Sequence, residues 1–179
     1  MSSDAVIRGL VARGLPFHVA IGIAGNMSVE SDGFQTDVNE YAPLVPGSRG
    51  GYGLNQWTGP RRRQFEAFAS QRGVDPSDLD TQLDFTLWEL NNTEAKAGNA
   101  LMGAENYQDA ARMYSEQFLR PGIPHMERRL SEASRLNALA SETPARPQTS
   151  PQNALAAYQP QVVQMDPRAF QNALAAPAP

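Results

Sequence analysis

Two stretches hold residues with the chemistry to cleave a sugar chain. The first, Gly22 to Phe34 (GIAGNMSVESDGF), closes a helical pattern with Glu30 and Ser31. The second, Gly50 to Arg62 (GGYGLNQWTGPRR), sets Tyr52, Asn55, Gln56 and Trp57 among glycines. A glutamate can protonate a departing glycosidic oxygen if burial beside apolar groups keeps it protonated near neutral pH. Val29, Phe34, Tyr52 and Trp57 would supply that setting. Aromatic faces stack on the apolar faces of pyranose rings, and Asn55 and Gln56 would add the few convergent polar groups such a pocket needs. The plainer alternative makes Glu30 a frayed, solvated helix end and the aromatics the core of a hairpin.

The helix that must carry Glu30 runs from about Pro16, which suits a first turn. Val19, Ile23, Asn26 and Glu30 fall on one stripe, at spacings of four, three and four. Gly22 and Gly25 lie on a neighbouring stripe, where each glycine costs about 1 kcal/mol against alanine. Two so close predict tight packing against other backbone. Ahead of this helix, Ser3 caps a first one with Ile7, Leu10 and Val11 inward and Gly14 as its stop. Residues 35–58 carry no helical period; Pro43, Pro46 and glycines 47, 50, 51 and 53 predict an ordered loop or hairpin.

Helices dominate the rest. Pro60 opens one with Phe65, Phe68 and Ala69 inward, ended by Gly73. Arg61, Arg62 and Arg63 at its start read as a solvated face, or one that meets anionic wall polymer. The next begins at Asp75–Pro76 or Ser77 and buries Leu79, Leu83, Leu87 and Leu90, with Trp88 beside them. A short helix covers Glu94 to Leu101. Asn106 caps another with Tyr107, Ala111, Tyr114 and Phe118, broken at Arg120–Pro121–Gly122. A last helix after Pro124 turns Met126, Leu130, Ala133 and Leu136 or Leu139 inward. The fold class is therefore mostly α, with a short irregular or β-hairpin segment, in one domain over residues 1–141.

Composition narrows the chemistry. A net charge of −4 gives no pull towards nucleic acid. The chain has no cysteine and two histidines far apart, His18 and His125, so neither a disulfide framework nor a zinc site is expected, and no cofactor. No apolar run is long enough to span a membrane, and the N-terminus lacks the pattern of a signal peptide.

Residues 142–179 differ in kind. They hold half of the 14 prolines, with much Gln and Ala and little charge. Gln152–Asn153–Ala154–Leu155–Ala156–Ala157 recurs as Gln171–Asn172–Ala173–Leu174–Ala175–Ala176. Each copy is preceded by a capping residue and proline and followed by a second proline, the punctuation of a helix of two to three turns. The expectation is a tail with short helices, disordered alone and ordered on a partner, with chance similarity in an Ala- and Gln-rich stretch as the competing explanation.

The ordered set Gly22–Ile23–Ala24–Gly25–Asn26 with Glu30–Ser31, then Gly51–Tyr52–Gly53–Leu54–Asn55–Gln56–Trp57–Thr58–Gly59 and Arg61, resembles the phage tail lysozyme family. Gln82–Leu83, Glu89–Leu90 and Arg120–Pro121–Gly122 up to Arg129 are similar to its later segments, so the resemblance spans roughly residues 10–140. It implies a goose-lysozyme or transglycosylase-like fold and a virion-associated peptidoglycan hydrolase. The bond is then the β-1,4 link between N-acetylmuramic acid and N-acetylglucosamine, with Glu30 the catalytic acid. Asn26, Ser31, Tyr52, Asn55, Gln56 and Trp57 would bind substrate.

A second catalytic group is less defined. An inverting hydrolase needs a carboxylate base roughly 6.5–9.5 Å away. Asp37 ranks ahead of Glu40 for that role. If neither serves, the enzyme is a lytic transglycosylase whose muramic 6-hydroxyl attacks. The implied location is the phage tail or internal ejection apparatus, acting on the host wall during genome entry, with virion proteins held through residues 142–179. A structural virion protein with an idle lysozyme fold, and an endolysin, are the competing classes.

Overall fold

Ten consecutive residues of one helix, Val19 to Ser28, are buried. A helix enclosed on every side belongs at the centre of a domain, not on its surface. This helix, α2 (Phe17–Glu30), packs against α1 (Ser3–Ala12), α6 (Tyr107–Met113) and α7 (Met126–Ser141). The computed structural model describes residues 1–40, 43 and 48–141. The remaining helices are α3 (Gly59–Arg72), α4 (Leu79–Asn91) and α5 (Ala95–Met102), and α6 runs into a π-helical segment, Tyr114–Leu119. Among the described residues no strand forms. Two isolated antiparallel bridges, Asn39 with Tyr52 and Tyr52 with Trp57, shape the irregular segment. The mostly α fold class is thus observed. Pro46, Gly47 and the tail with its repeated hexapeptide lie outside the described residues.

Gly22 and Gly25 are where other helices come closest. A Cβ on Gly25 would stand 2.8 Å from the Cβ and backbone nitrogen of Ala133 in α7. One on Gly22 would stand 2.6 Å from the backbone nitrogen of Ala111 and from the Cβ of Ala110, both in α6. Only residues without a Cβ allow either approach.

Other boundaries also follow local chemistry. Asn106 caps α6, its Oδ1 accepting from the Asp109 amide at 2.9 Å, and Gly73 ends α3 in the left-handed conformation. Two expectations need correction. The first helix is capped by Ser2, whose hydroxyl accepts from the Ala5 amide, not by Ser3. Leu139, offered as an inward residue, is 47% exposed, whereas Leu136 is buried.

A second, aromatic core joins the irregular segment to α3 and α4. Trp57 stacks on Phe65 at 4.5 Å between ring centres, and Phe65, Phe68 and Phe85 complete it. The segment is also tied by Gln82 of α4. Its Oε1 accepts from the Leu54 amide at 2.8 Å, and its Nε2 donates to the carbonyls of Thr36 and Pro76.

Beneath these sits a buried ion pair. Arg61 donates through Nε and Nη2 to Glu89, and the Trp57 indole donates to Glu89 Oε2 at 2.8 Å. Burial opposes the Arg61 charge, but the Glu89 carboxylate outweighs it and holds Arg61 above its ordinary range. Burial presses the Glu89 carboxyl upward against the pull of Arg61 and Trp57. The arginine run is therefore not a solvated face: Arg61 is structural, and Arg62 donates to Asn39, Glu66 and the carbonyls of Arg49 and Gly50.

Candidate active site

Glu30 is the last residue of α2, where the helix leaves the core, and its side chain is 17% exposed. A carboxylate there faces the negative end of the helix dipole. The opposite charge comes from Arg129 of α7, whose Nη2 donates to Glu30 Oε1 at 2.6 Å. Arg129 is only 2% exposed, and each of its three guanidinium nitrogens donates to a partner. Its Nη1 donates to Asn26 Oδ1 at 3.1 Å and its Nε to the Pro124 carbonyl at 2.6 Å. Asn26 in turn donates to the carbonyls of Gly22 and Ala111. A chain of hydrogen bonds thus runs from α6 through Asn26 and Arg129 to Glu30, which fixes the glutamate by buried groups.

Glu30 opens on a cleft of about 490 Å³. Three segments line it. The end of α2 gives Val29 and Glu30. The irregular segment gives Glu40, Gly51, Asn55, Gln56 and Thr58. The connection into α7 gives Leu119 to Ile123, His125, Arg128 and Arg129. Backbone strain gathers around it. Among the described residues five non-glycines have left-handed backbone: Asp32 and Phe34 in the turn after Glu30, and Gln56, Arg120 and His125 in the cleft lining. Such conformations persist where surrounding structure enforces them, and they concentrate at functional sites.

The sequence-derived candidates divide on this geometry. Glu30, Gln56 and Asn55 all line the cleft. Asn55 is nonetheless 3% exposed, with Nδ2 donating to Thr86 and Oδ1 accepting from the Tyr114 hydroxyl at 2.8 Å. Burial first, then Arg61 and Glu89 in opposite senses, leaves that tyrosine hydroxyl well above its ordinary value. Gln56 donates through Nε2 to the Gly53 carbonyl at 2.9 Å.

Four expectations of substrate contact meet buried or displaced side chains. Asn26 is fully buried and holds Arg129. Ser31 is fully buried and closes the helix end, donating to the Met27 carbonyl and accepting from the Phe34 amide. Trp57 is 1% exposed, so its faces belong to the aromatic core and are not a sugar platform. Tyr52 is half-buried, stacks on Phe65 at 6.2 Å and lies under the Arg62 guanidinium; it is not among the cleft residues.

The apolar surround expected for Glu30 is likewise replaced by an ion pair. Of the two loop carboxylates, Glu40 lines the cleft and accepts from the Gly51 amide at 3.0 Å. Asp37 is exposed and outside the cleft; its charge is felt at Tyr52, where burial first and then Asp75 and Asp37 raise the phenol.

Sequence reasoning missed Arg129 as a working residue. The available signal was its place on α7, three residues after Met126 and four before Ala133, on the inward stripe. A charged residue on such a stripe is buried only with a partner.

The arrangement offers a cleft lined by a held carboxylic group, a second carboxylate and an amide, Glu30, Glu40 and Gln56. That set suits general acid chemistry on a bound polymer. No curated protein matches the chain. Among the described residues no helix is long and apolar enough to cross a membrane. The family model described as phage tail lysozyme matches residues 3–139, from the start of α1 to the last turn of α7. The chain belongs to the phage tail lysozyme family, and with it to the peptidoglycan-degrading proteins of phages.

Proposed function

We propose that the chain is a virion-associated muramidase, which hydrolyses the β-1,4 bond between N-acetylmuramic acid and N-acetylglucosamine as the phage genome enters through the host wall. The observation that carries this reading is the placement of Glu30: a half-buried carboxyl, fixed through Arg129 and Asn26, at the edge of a cleft that also holds Gln56 and Glu40. Glu30 Oε1 is engaged by Arg129, so protonation of the departing oxygen falls to Oε2. The carboxylate left by that transfer is received by a guanidinium already in place, which stabilises the charge as it develops. Glu40 is the better candidate for activating water, because it lines the cleft and Asp37 does not. Gln56 would orient sugar or water. Residues 142–179 would anchor the enzyme to a virion protein.

Glu30→Gln removes the donated proton and keeps the shape. Activity on purified peptidoglycan should fall by about 10²–10⁴-fold, the worth of general acid catalysis. Mass spectrometry of the wild-type digest should give reducing muramic ends. Anhydro ends would assign a lytic transglycosylase in place of a hydrolase. Cleaved peptide stems, or near-normal activity in Glu30→Gln, would overturn the muramidase reading.

A further inference from the structure

Among the described residues, one arginine lining the cleft makes no ion pair. Of the arginines that line it, Arg129 is bound to Glu30, and Arg120 is bound to Glu94 through two bonds of 2.8 Å. Arg128 lines the same cleft, is exposed, and its side chain makes no hydrogen bond or ion pair among the described residues. The charge it influences, Glu132, lies four residues on and is already held by Arg135 at 2.8 Å and by the Ser28 hydroxyl. Neither carboxylate of the cleft pairs with it among the described residues: Glu30 is tied to Arg129, and Glu40 accepts from the Gly51 amide. Exposed His125, with its backbone held in the left-handed region, lies on the same connection, as does Ile123 at 70% exposure.

An unpaired guanidinium beside a substrate channel gains nothing from a neutral sugar that water does not already give it. It gains a charge-assisted, bidentate partner from a carboxylate. Amino-sugar polymers divide on that feature. Chitin-like chains carry no acid group. Muramic acid carries a lactyl carboxyl, which is either free or extended by a short peptide that bears carboxylates of its own.

We infer that the Arg128 side of the cleft receives a carboxylate carried on the muramic acid substituent, so that the enzyme reads acid-substituted glycan and not amino-sugar polymer in general. The inference rests on the muramidase reading and adds the residue that reads the muramic acid substituent. Arg128 in this role is a specificity residue: it selects which strand seats beside Glu30 and takes no part in the proton transfer.

The test uses binding, so it does not depend on turnover. Glu30→Gln full-length chain, with and without Arg128→Ala, is co-sedimented with intact sacculi and with sacculi whose carboxylates have been converted to amides. Removing one exposed charge pair should weaken binding to intact sacculi by about five-fold, the upper worth of such pairs. The two proteins should bind amidated sacculi equally, and Arg128→Lys should recover part of the loss.

Amidase-stripped glycan, which keeps only the lactyl acid, assigns the source. A persisting effect of Arg128→Ala points to the lactyl carboxylate, and a lost effect points to the peptide. Equal binding of both proteins to intact sacculi, or the same loss on amidated material, overturns the inference. Normal hydrolysis by Glu30→Gln would instead overturn the acid assignment and leave the carboxylate result standing.

Discussion

Adding one methyl group at Gly25 should separate stability from catalysis. The new Cβ would stand 2.8 Å from the Cβ and nitrogen of Ala133 and 2.9 Å from its Cα. Carbon atoms rest about 3.5–4.0 Å apart, so α7 must withdraw by roughly 1 Å. Overpacking of this kind costs about 1–3 kcal/mol. For a domain of this size that lowers the melting temperature by about 2–12 °C. The same withdrawal carries Arg129, one turn before Ala133, away from Glu30 and Asn26. A hydrogen bond of 2.6 Å stretched by roughly 1 Å is no longer one. Misplacement on that scale costs about 10²-fold in turnover.

Gly22→Ala is the matched control. Its Cβ meets the α6 backbone as closely, with the nearest atoms at 2.6 Å; the push falls on α6, which reaches Glu30 only through the Asn26 side chain and not through the helix that carries Arg129. Both variants should melt lower by similar amounts in differential scanning fluorimetry. In a turbidity assay on cell-wall suspension, run well below both melting points, Gly25→Ala should lose far more activity. Equal activity losses in the two variants would refute the idea that α2–α7 spacing sets the Glu30–Arg129 geometry.

Two further outcomes follow from particular contacts. Arg120 holds the Glu94 carboxyl below its ordinary range, so the stability this pair lends is full above the usual carboxylate range and disappears as pH falls through the depressed value. Glu94→Gln should therefore melt slightly lower than wild type, by up to about 4 °C near neutrality, with the gap closing as the pH falls below the usual carboxylate range in a thermal scan; a gap that widens on acidification would reverse the argument. A chain ending at Ser141 keeps all of α7 and the family-matched region. It should hydrolyse peptidoglycan normally while failing to enter particles. Its incorporation at wild-type level, read by immunoblot of purified virions, would remove the anchoring role from residues 142–179.

Local punctuation and small-residue spacing made much of the fold legible. Gly22 and Gly25 announced close helix contacts, and Asn106, Gly73 and Arg120–Pro121–Gly122 marked real boundaries. The π-helical turn after α6 left no such mark, because it differs from an α-helix in bonding and not in residue type. Glu30 was readable as the end of a helix that loses its apolar partners. Trp57 was not, because an aromatic residue beside glycines looks the same whether it faces a sugar or Phe65. Asn26 and Ser31 are ambiguous for a related reason: small polar residues serve a buried helix, or its end, as readily as a ligand. Asp37 and Glu40 are three residues apart in one loop, and only tertiary packing decides that Glu40 reaches the cleft. Arg129 depends on a contact across 99 residues that no local pattern encodes.

That span also dictates when the enzyme can exist. Glu30 emerges early in synthesis and its arginine only near the end of the domain, with every intervening helix between them. A ribosome that has made α1 to α6 has made most of the core and none of the ion pair. Partial chains, whether nascent, proteolysed or incompletely refolded, therefore lack the fixed glutamate. If Glu30 is the acid proposed above, such fragments would lack wall-cutting activity. If the chain has to unfold and refold on its way through a particle, turnover would resume only after the slowest long-range contact has closed.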